Sequence, residues 1–558
     1  MAAFSAAPQG AGRAPFRVRL VRALPRLSPA SLCLIGLGGL GFFFGMPNAV
    51  LHLPLLALLY PCCLYLLAKQ ADTGRDAIFR GWLSGLCANT AGLYWLVYPM
   101  HDVAGIPFAL AAPAVLPLFS YFACYAALTA YAAWSLNRLF TGGGLAARLA
   151  PPLLTGLAFA GFEVWCGHLL TGFPWLSLGT AFGFSPLWLQ AASLIGAFGL
   201  SAVAAAAACL AAEGLTAPPT ARRAAFALGA ALLAALPLYG LSRLTALPEN
   251  PDQRPLSAVM VQGNIDQNQK WVPAFQRGTL DLYMRLSHEA LAEYKSGHGG
   301  SAPDLLLWPE TAMPFYFELH PEYAEAMFRF AAQERVHLAF GSLGVDRPAG
   351  GPAALKNRLY LLSSAGRRAG FYDKRHLVPF GEYTPFAADI PFLRELLQGL
   401  DFSPGVTTEP LRIDLNGAAA SLGVLICYEA IFPSLAQERV EHGADVLVNV
   451  SNDGWFRDSS APRQHLAHVA LRAVEQERPV LRSTNTGITA AVDAFGRVEG
   501  TPPALFAEGT LAVTVRPSTE KTVYHRLHPL PEALLAALAL FALFGYRGRL
   551  ILRKLGKA

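Results

Sequence analysis

Charge is what this sequence has least of. Only 15% of its 558 residues are Asp, Glu, Lys or Arg, 53% are hydrophobic, and the mean hydropathy is positive. That balance excludes an ordinary soluble enzyme and points to a chain that lies largely in a membrane. The net charge of +6 comes mostly from basic clusters flanking apolar runs, so it gives little support to nucleic-acid binding. There is no phosphate loop, no metal-ligand cluster and no internal repeat. His465 and His468 have helical spacing, but without a partnering carboxylate motif they read as local hydrogen-bonding residues. Cysteine is scarce where it would matter most. Of eight, Cys33, Cys62, Cys63, Cys87, Cys124, Cys166 and Cys209 fall in or beside apolar runs, whereas Cys427 is alone in residues 250–528, which excludes a disulfide framework there.

What is present divides the chain in two. Apolar runs near 28–46, 48–68, 79–98, 107–135, 149–169, 187–213 and 223–244 are each long enough for a hydrocarbon core of about 30 Å, and "LPEALLAALALFALFGY" at 530–546 supplies an eighth. A signal-peptide reading of the first run is rejected, because the apolar character continues for some two hundred residues. Basic residues set the orientation. Arg13, Arg17, Arg19, Arg22 and Arg26 precede the first span; Lys69 with Arg75 and Arg80, Arg138 with Arg148, and Arg222 with Arg223 follow the second, fourth and sixth. The alternate connections, "MPNA", "MHDVAGI" and "GHLLTGFPWLSLGTAFGFSP", hold no Lys or Arg. The expected order is a cytoplasmic, disordered basic tail over 1–27, a seven-span domain over 28–245, an external catalytic domain over 250–528, an eighth span and a cytoplasmic basic tail over 547–558.

Residues 250–528 alternate short β-rich runs ("LSAVMVQG", "DLLLWP", "HLAFGSL", "RLYLLSS", "SLGVLIC", "DVLVNVS", "ITAAVD") with helix-like segments at 274–296, 321–335, 434–442 and 463–476. This predicts an α/β layered domain with buried sheets. Cys427, in "GVLICYEAIFP", stands at a strand end before a helix that starts after Pro433. Backbone N–H groups at such a turn can lower a thiol pKa from its free value of about 8.5. A lone Cys in an apolar strand is commonly core packing, so a nucleophile needs partners. Glu310 in "WPETAMP" and Lys374 in "FYDKRHLVPFGEYTP" supply them. Glu310 would take the thiol proton, Cys427 would attack a carbonyl, and Lys374 with the Tyr428 backbone N–H would stabilise the oxyanion.

The order of Glu310, Lys374 and Cys427 resembles the carbon-nitrogen hydrolase, or nitrilase, superfamily, whose domain is an α-β-β-α sandwich. With "QGNI" at 262–265, Trp271, "YDKRHLVPFGEY", "ICYE", "NVSNDGWF" at 449–456, "RQH" at 463–465 and "RSTNTGIT" at 482–489, nearly the whole chain is similar to the apolipoprotein N-acyltransferase family of the Gram-negative inner membrane. The resemblance implies Glu310 as base, Lys374 as oxyanion stabiliser, Cys427 as nucleophile and Glu382 as a second carboxylate holding base and lysine. It also puts Trp271, Tyr428 and Glu429 around the thioester and the lipid substrates, with a periplasmic catalytic domain and no cofactor. The expected reaction is transfer of an acyl chain from a phospholipid, phosphatidylethanolamine at its sn-1 position, through a Cys427 thioester. The acceptor is the α-amine of the diacylglyceryl-cysteine that begins an apolipoprotein. Loop 171–180, "TGFPWLSLGT", resembles a segment at the membrane mouth of the site, although an interfacial aromatic anchor explains it as well. In "WFRDSSAPRQH", Arg457 and Ala461 depart from the small residues of the family pattern, which puts the mobility or substrate contacts of that loop in question. A membrane-tethered amidase or nitrilase, and a non-catalytic scaffold, are the alternatives. Eight spans disfavour the first, and the Glu310, Lys374, Glu382 and Cys427 set disfavours the second.

Overall fold

A backbone surrounded by lipid must satisfy its own N–H and C=O groups, and the apolar runs of the first part accordingly fold as helices. The computed structural model describes residues 27–245, 254–347, 353–385, 401–415 and 417–555; the expected basic arm lies outside these apart from Leu27. The helices are α1 (Pro29–Gly45), α2 (Leu59–Lys69), α3 (Gly74–Leu93), α4 (Leu116–Leu139), α5 (Leu145–Cys166), α6 (Ala192–Thr216), α7 (Pro219–Thr245) and, at the far end of the chain, α12 (Leu530–Lys554). Among the described residues, five stretches are long and apolar enough to cross a membrane: Phe108–Leu139, α5, α6, α7 and α12. Helix α1 and the segment Pro54–Lys69 are apolar but shorter. Leu238 and Leu241 on α7 and Leu534, Leu540 and Phe544 on α12 stay exposed, as a lipid-facing surface requires. Helices α3 and α4 approach closely because Gly81 and Gly85 face Ala126 and Ala130, where an added Cβ would come within 2.6 Å of a neighbour. Helix α12 runs about two turns past residue 546, with Arg553 and Lys554 in a last turn where cations complement the helix dipole.

The second part alternates strands and helices. Its strands are β1 (Leu256–Gln262), β2 (Leu305–Leu307), β3 (Met313–Tyr316), β4 (His337–Asp346), β5 (Ala354–Leu362), β6 (Arg368–Asp373), β7 (Leu411–Asp414), β8 (Ala419–Ile426), β9 (Val446–Ser451), β10 (Val480–Thr484), β11 (Ala490–Val492), β12 (Val498–Glu499) and β13 (Gly509–Val515). One sheet has the order β13-β1-β2-β4-β5-β6, with β3 also paired to β4; the other has the order β12-β11-β10-β9-β8-β7. Side chains alternate between sheet faces, so each buried strand feeds two layers. Met260, Leu307, Ile426 and Val448 meet between the sheets. Val259, Val261 and Leu306 point outward onto α8 (Pro273–Gly297) and α9 (Pro321–Glu334). Leu425 and Leu447 point the other way, onto α10 (Pro433–Glu441) and α11 (Ser460–Gln476). The result is an α-β-β-α sandwich.

The outer layer of the second sheet does not end at α11. Leu466, Val469 and Ala470 of α11 share one apolar cluster with Phe182 and with Ala197, Leu200 and Ala204 of α6. Glu475 on α11 accepts the Ala197 N–H at 2.7 Å, beside the kink at Gly196. The helical part and the sandwich therefore share a core.

Candidate active site

In each sheet, parallel strands end at the same edge of the sandwich. Strand β2 leads through Pro309 into Glu310, and β8 leads into Cys427, the first residue of a 3-10 turn over Cys427–Ile431. The ends of parallel strands carry loops free to hold reacting groups. The neighbouring β5 and β6 add Asn357 and, just beyond Asp373, Lys374.

These side chains form one buried network. Lys374 Nζ donates to Glu382 Oε1 at 2.9 Å and lies 3.4 Å from Glu310 Oε1. Asn357 Nδ2 donates to the same two oxygens, at 2.7 Å to Glu310 and 2.9 Å to Glu382. The second Glu382 oxygen accepts the Val378 N–H at 2.8 Å, which fixes the loop after β6. Burial opposes the Lys374 charge, but Glu382 and then Glu310 hold its pKa well above the ordinary lysine value. Asn357 escaped the sequence reading; its signal is an amide between Lys356 and Arg358 at the head of an apolar run, "LKNRLYLL".

Cys427 adopts a left-handed φ of 51°, a strained conformation for a side-chain-bearing residue and one seen at functional turns. Its thiol is pushed up to about 12, chiefly by burial and next by Glu310, with Lys374 and a hydrogen bond from Ser451 pulling the other way. The expectation of a lowered thiol pKa is thus corrected: burial next to a carboxylate outweighs the turn. Glu310 is the carboxylate whose charge acts on this thiol most. The Cys427 carbonyl is held by His465 Nε2 at 3.0 Å. His465 Nδ1 sits 3.0 Å from Asp453, which Arg482 pairs at 2.7 Å.

The other expected residues occupy different stations. Glu429 is fully buried, not at the pocket rim. Its Oε1 accepts the N–H groups of Arg375 and His376 at 2.7 and 3.1 Å, its Oε2 accepts that of Ile426 at 2.7 Å, and the Tyr372 hydroxyl lies 2.9 Å from Oε1 and 3.1 Å from Oε2. It therefore clamps the cysteine turn to the segment carrying Lys374 and has no oxygen left for a substrate. Tyr428 donates to the Gly172 carbonyl at 2.9 Å and packs among Phe173, His376 and Phe432. Trp271 is 36% exposed in the turn before α8.

Loop 171–180 lies against the sandwich. Trp175 is buried, and both Trp175 and Trp95 donate their indole N–H to Gln464 Oε1 of α11, at 2.8 and 3.1 Å. His468 Nε2 donates to the Trp175 carbonyl at 2.9 Å. Trp175 is therefore an inter-domain tie and not an aromatic anchor in the lipid interface. Arg457 takes a φ of 53° without being glycine, is paired with Asp102 at 2.6 Å and stacks on Tyr98, so its loop is tethered to the connection after α3. Ala461 is fully buried in the apolar cluster that holds Trp95 and Tyr428.

Comparison with known proteins adds two independent matches. The profile described as carbon-nitrogen hydrolase fits residues 258–524, and the one described as apolipoprotein N-acyltransferase N-terminal domain fits residues 38–210. A relative named apolipoprotein N-acyltransferase from Geobacter metallireducens is 36% identical over 468 residues, covering 83% of this chain and 85% of its own. Relatives of the same name from Bordetella bronchiseptica and Azotobacter vinelandii are 36% identical over 504 residues and 34% over 522. They cover 85% and 92% of this chain, and 88% and 94% of their own.

Proposed function

We propose that this chain, which belongs to the apolipoprotein N-acyltransferase family and is a membrane acyltransferase on a nitrilase-like fold, works by a two-step transfer through Cys427. As the thiol sulfur attacks the ester carbonyl of a phospholipid, Glu310 takes its proton, and Lys374 stabilises the oxyanion. On collapse Glu310 returns the proton to the departing glycerol oxygen, so a lysophospholipid leaves and an acyl thioester remains. The free α-amine of a diacylglyceryl-cysteine then attacks the thioester, gives its proton to Glu310 and leaves as the amide, and the departing thiolate recovers that proton. Glu382 and Asn357 hold base and lysine together throughout. The donor we assign is phosphatidylethanolamine at its sn-1 chain, and the site faces the periplasmic surface of the inner membrane, as the distribution of Lys and Arg among the connections supports.

The observation that carries this reading is the meeting of a half-buried thiol with a carboxylate and a lysine at the edge where Tyr428 touches a loop between two apolar helices. A site opening toward lipid can hold an acyl chain at about 0.8 kcal/mol for each buried CH₂. It can also exclude water, which separates transfer from hydrolysis. The test is intact mass spectrometry after incubation with phosphatidylethanolamine alone. Wild type should gain one acyl chain that hydroxylamine removes, and Cys427→Ser should gain none. Absence of both the adduct and released lysophospholipid, with the protein folded, sinks the acyl-donor reading.

A further inference from the structure

A second lysine is buried beside the base, and the mechanism above does not use it. Lys270 is 1% exposed, although its neighbour Trp271 reaches solvent. Its Nζ donates to the Thr311 hydroxyl at 2.9 Å and lies 3.4 Å from the Glu310 carbonyl. Among the described residues no carboxylate lies within ion-pair distance of it. An ammonium withdrawn from water and met only by neutral oxygens is costly, so its charge must be compensated from further away. Burial pulls Lys270 down to about 8, while the charges of Glu310 and Cys427 act against that fall.

The charges around the thiol give the reason. Glu310 and Glu382 share Lys374, which is nearer to Glu382, so those groups alone carry one excess negative charge. Asp453, the other anion acting on the thiol, is already paired by Arg482. His376, beside Lys374, is held down to about 4 by burial and by that lysine, so it is neutral and adds no cation. Lys270 is the group that brings the set to neutrality. Moving the thiol proton onto Glu310 leaves the net charge unchanged and shifts the negative charge onto sulfur; without Lys270 the site carries one uncompensated negative charge throughout, which disfavours the thiolate.

We propose that Lys270 is a positioning residue for acylation: seated at the Glu310–Thr311 turn, it acts through its charge, supplying the balance that lets the Cys427 proton leave. The proposal rests on the reading of Cys427 and Glu310 given above. Its test is the pH dependence of iodoacetamide alkylation, followed on the Cys427 peptide and run beside acylation by phosphatidylethanolamine. Lys270→Met should slow alkylation about tenfold at neutral pH and move the profile up by about one unit. Lys270→Arg, which keeps the charge, should restore the profile, and Thr311→Val, which removes only the hydroxyl contact, should leave it in place. An unmoved profile in Lys270→Met, or an equal shift in Thr311→Val, overturns the proposal. Failure of wild type to acylate while the alkylation profile still shifts would refute the phospholipid donor and leave the role of Lys270 standing.

Discussion

Replacing Glu429 by Gln keeps the shape of a fully buried side chain and changes only its hydrogen bonding. One oxygen now receives two backbone N–H groups and the other a third, with the Tyr372 hydroxyl alongside. An amide can offer its oxygen to the Arg375 and His376 pair, but its NH₂ then points at the Ile426 N–H. That strands one buried donor, at about 1–3 kcal/mol, and weakens the remaining bonds from charge-assisted to neutral, about 1 kcal/mol or more in sum. The expected loss is about 2–4 kcal/mol, read as a fall of roughly 2–7 °C in the thermal midpoint of the purified protein. Because Ile426 immediately precedes Cys427, the proposed acylation should slow as well. A Glu429 that bound substrate directly would behave differently: Glu429→Gln would raise KM for the lipid and leave the midpoint alone. A midpoint within about a degree of wild type would refute the clamp.

Other perturbations follow from the same geometry. Asn357→Leu removes two hydrogen bonds to carboxylates, each worth about 1.5–3 kcal/mol, so single-turnover acylation should fall at least about tenfold while Cys427 remains present and alkylatable. Gln464→Leu leaves two buried indole donors without their acceptor and should cost about 2–4 kcal/mol in a thermal melt; Gln464→Glu keeps that acceptor but loses the donor to the Gly92 carbonyl and buries a carboxylate, so it should destabilise as well. The Arg457 and Asp102 pair is partly exposed, so a double-mutant cycle should return no more than about 1 kcal/mol of coupling, shrinking with salt. Burial alone would raise Asp453, but Arg482 and then His465 overcome it and hold the carboxylate below its ordinary value. Its contribution to stability is therefore present above the unfolded carboxylate pKa of about 3.9 and is lost as pH falls below that. Asp453→Asn should flatten this part of the acid-unfolding curve.

Much of this molecule is written locally. Apolar runs marked where the helices lie, although the second, expected from 48, becomes α-helical only at Leu59 and the last runs to Lys554; strands such as "DLLLWP" and "SLGVLIC" emerged because burial on both faces makes them continuous apolar stretches. Strand β13 was invisible beforehand, since as an edge strand it reads "GTLAVTV" with only part of it buried. Strand β6, "RAGFYD", was hidden by its charged ends. The reacting set was legible as residue types in a family order, but the thiol's resting state was not, because it depends on how deeply the turn is covered and on a carboxylate more than a hundred residues away. Glu429 and Asn357 show the same limit. Sequence marks a carboxylate beside a nucleophile or an amide in a strand, but which donors they meet is fixed only when two sheets and a loop converge.

The sharing of Gln464 between Trp95 and Trp175, with Tyr428 reaching the carbonyl of Gly172, means that the groups gathered in the sandwich are buttressed by the helical half of the chain. Excising residues 254–528 as a soluble fragment would strip away the loop on which the cysteine turn leans, and would expose the apolar face of α11 that meets α6. A chimera joining this sandwich to the helical part of a distant relative would need matched changes at the indole, glutamine and glycine contacts before it could turn over. The seam constrains evolution as much as folding, because each half can drift only as fast as the other accepts it.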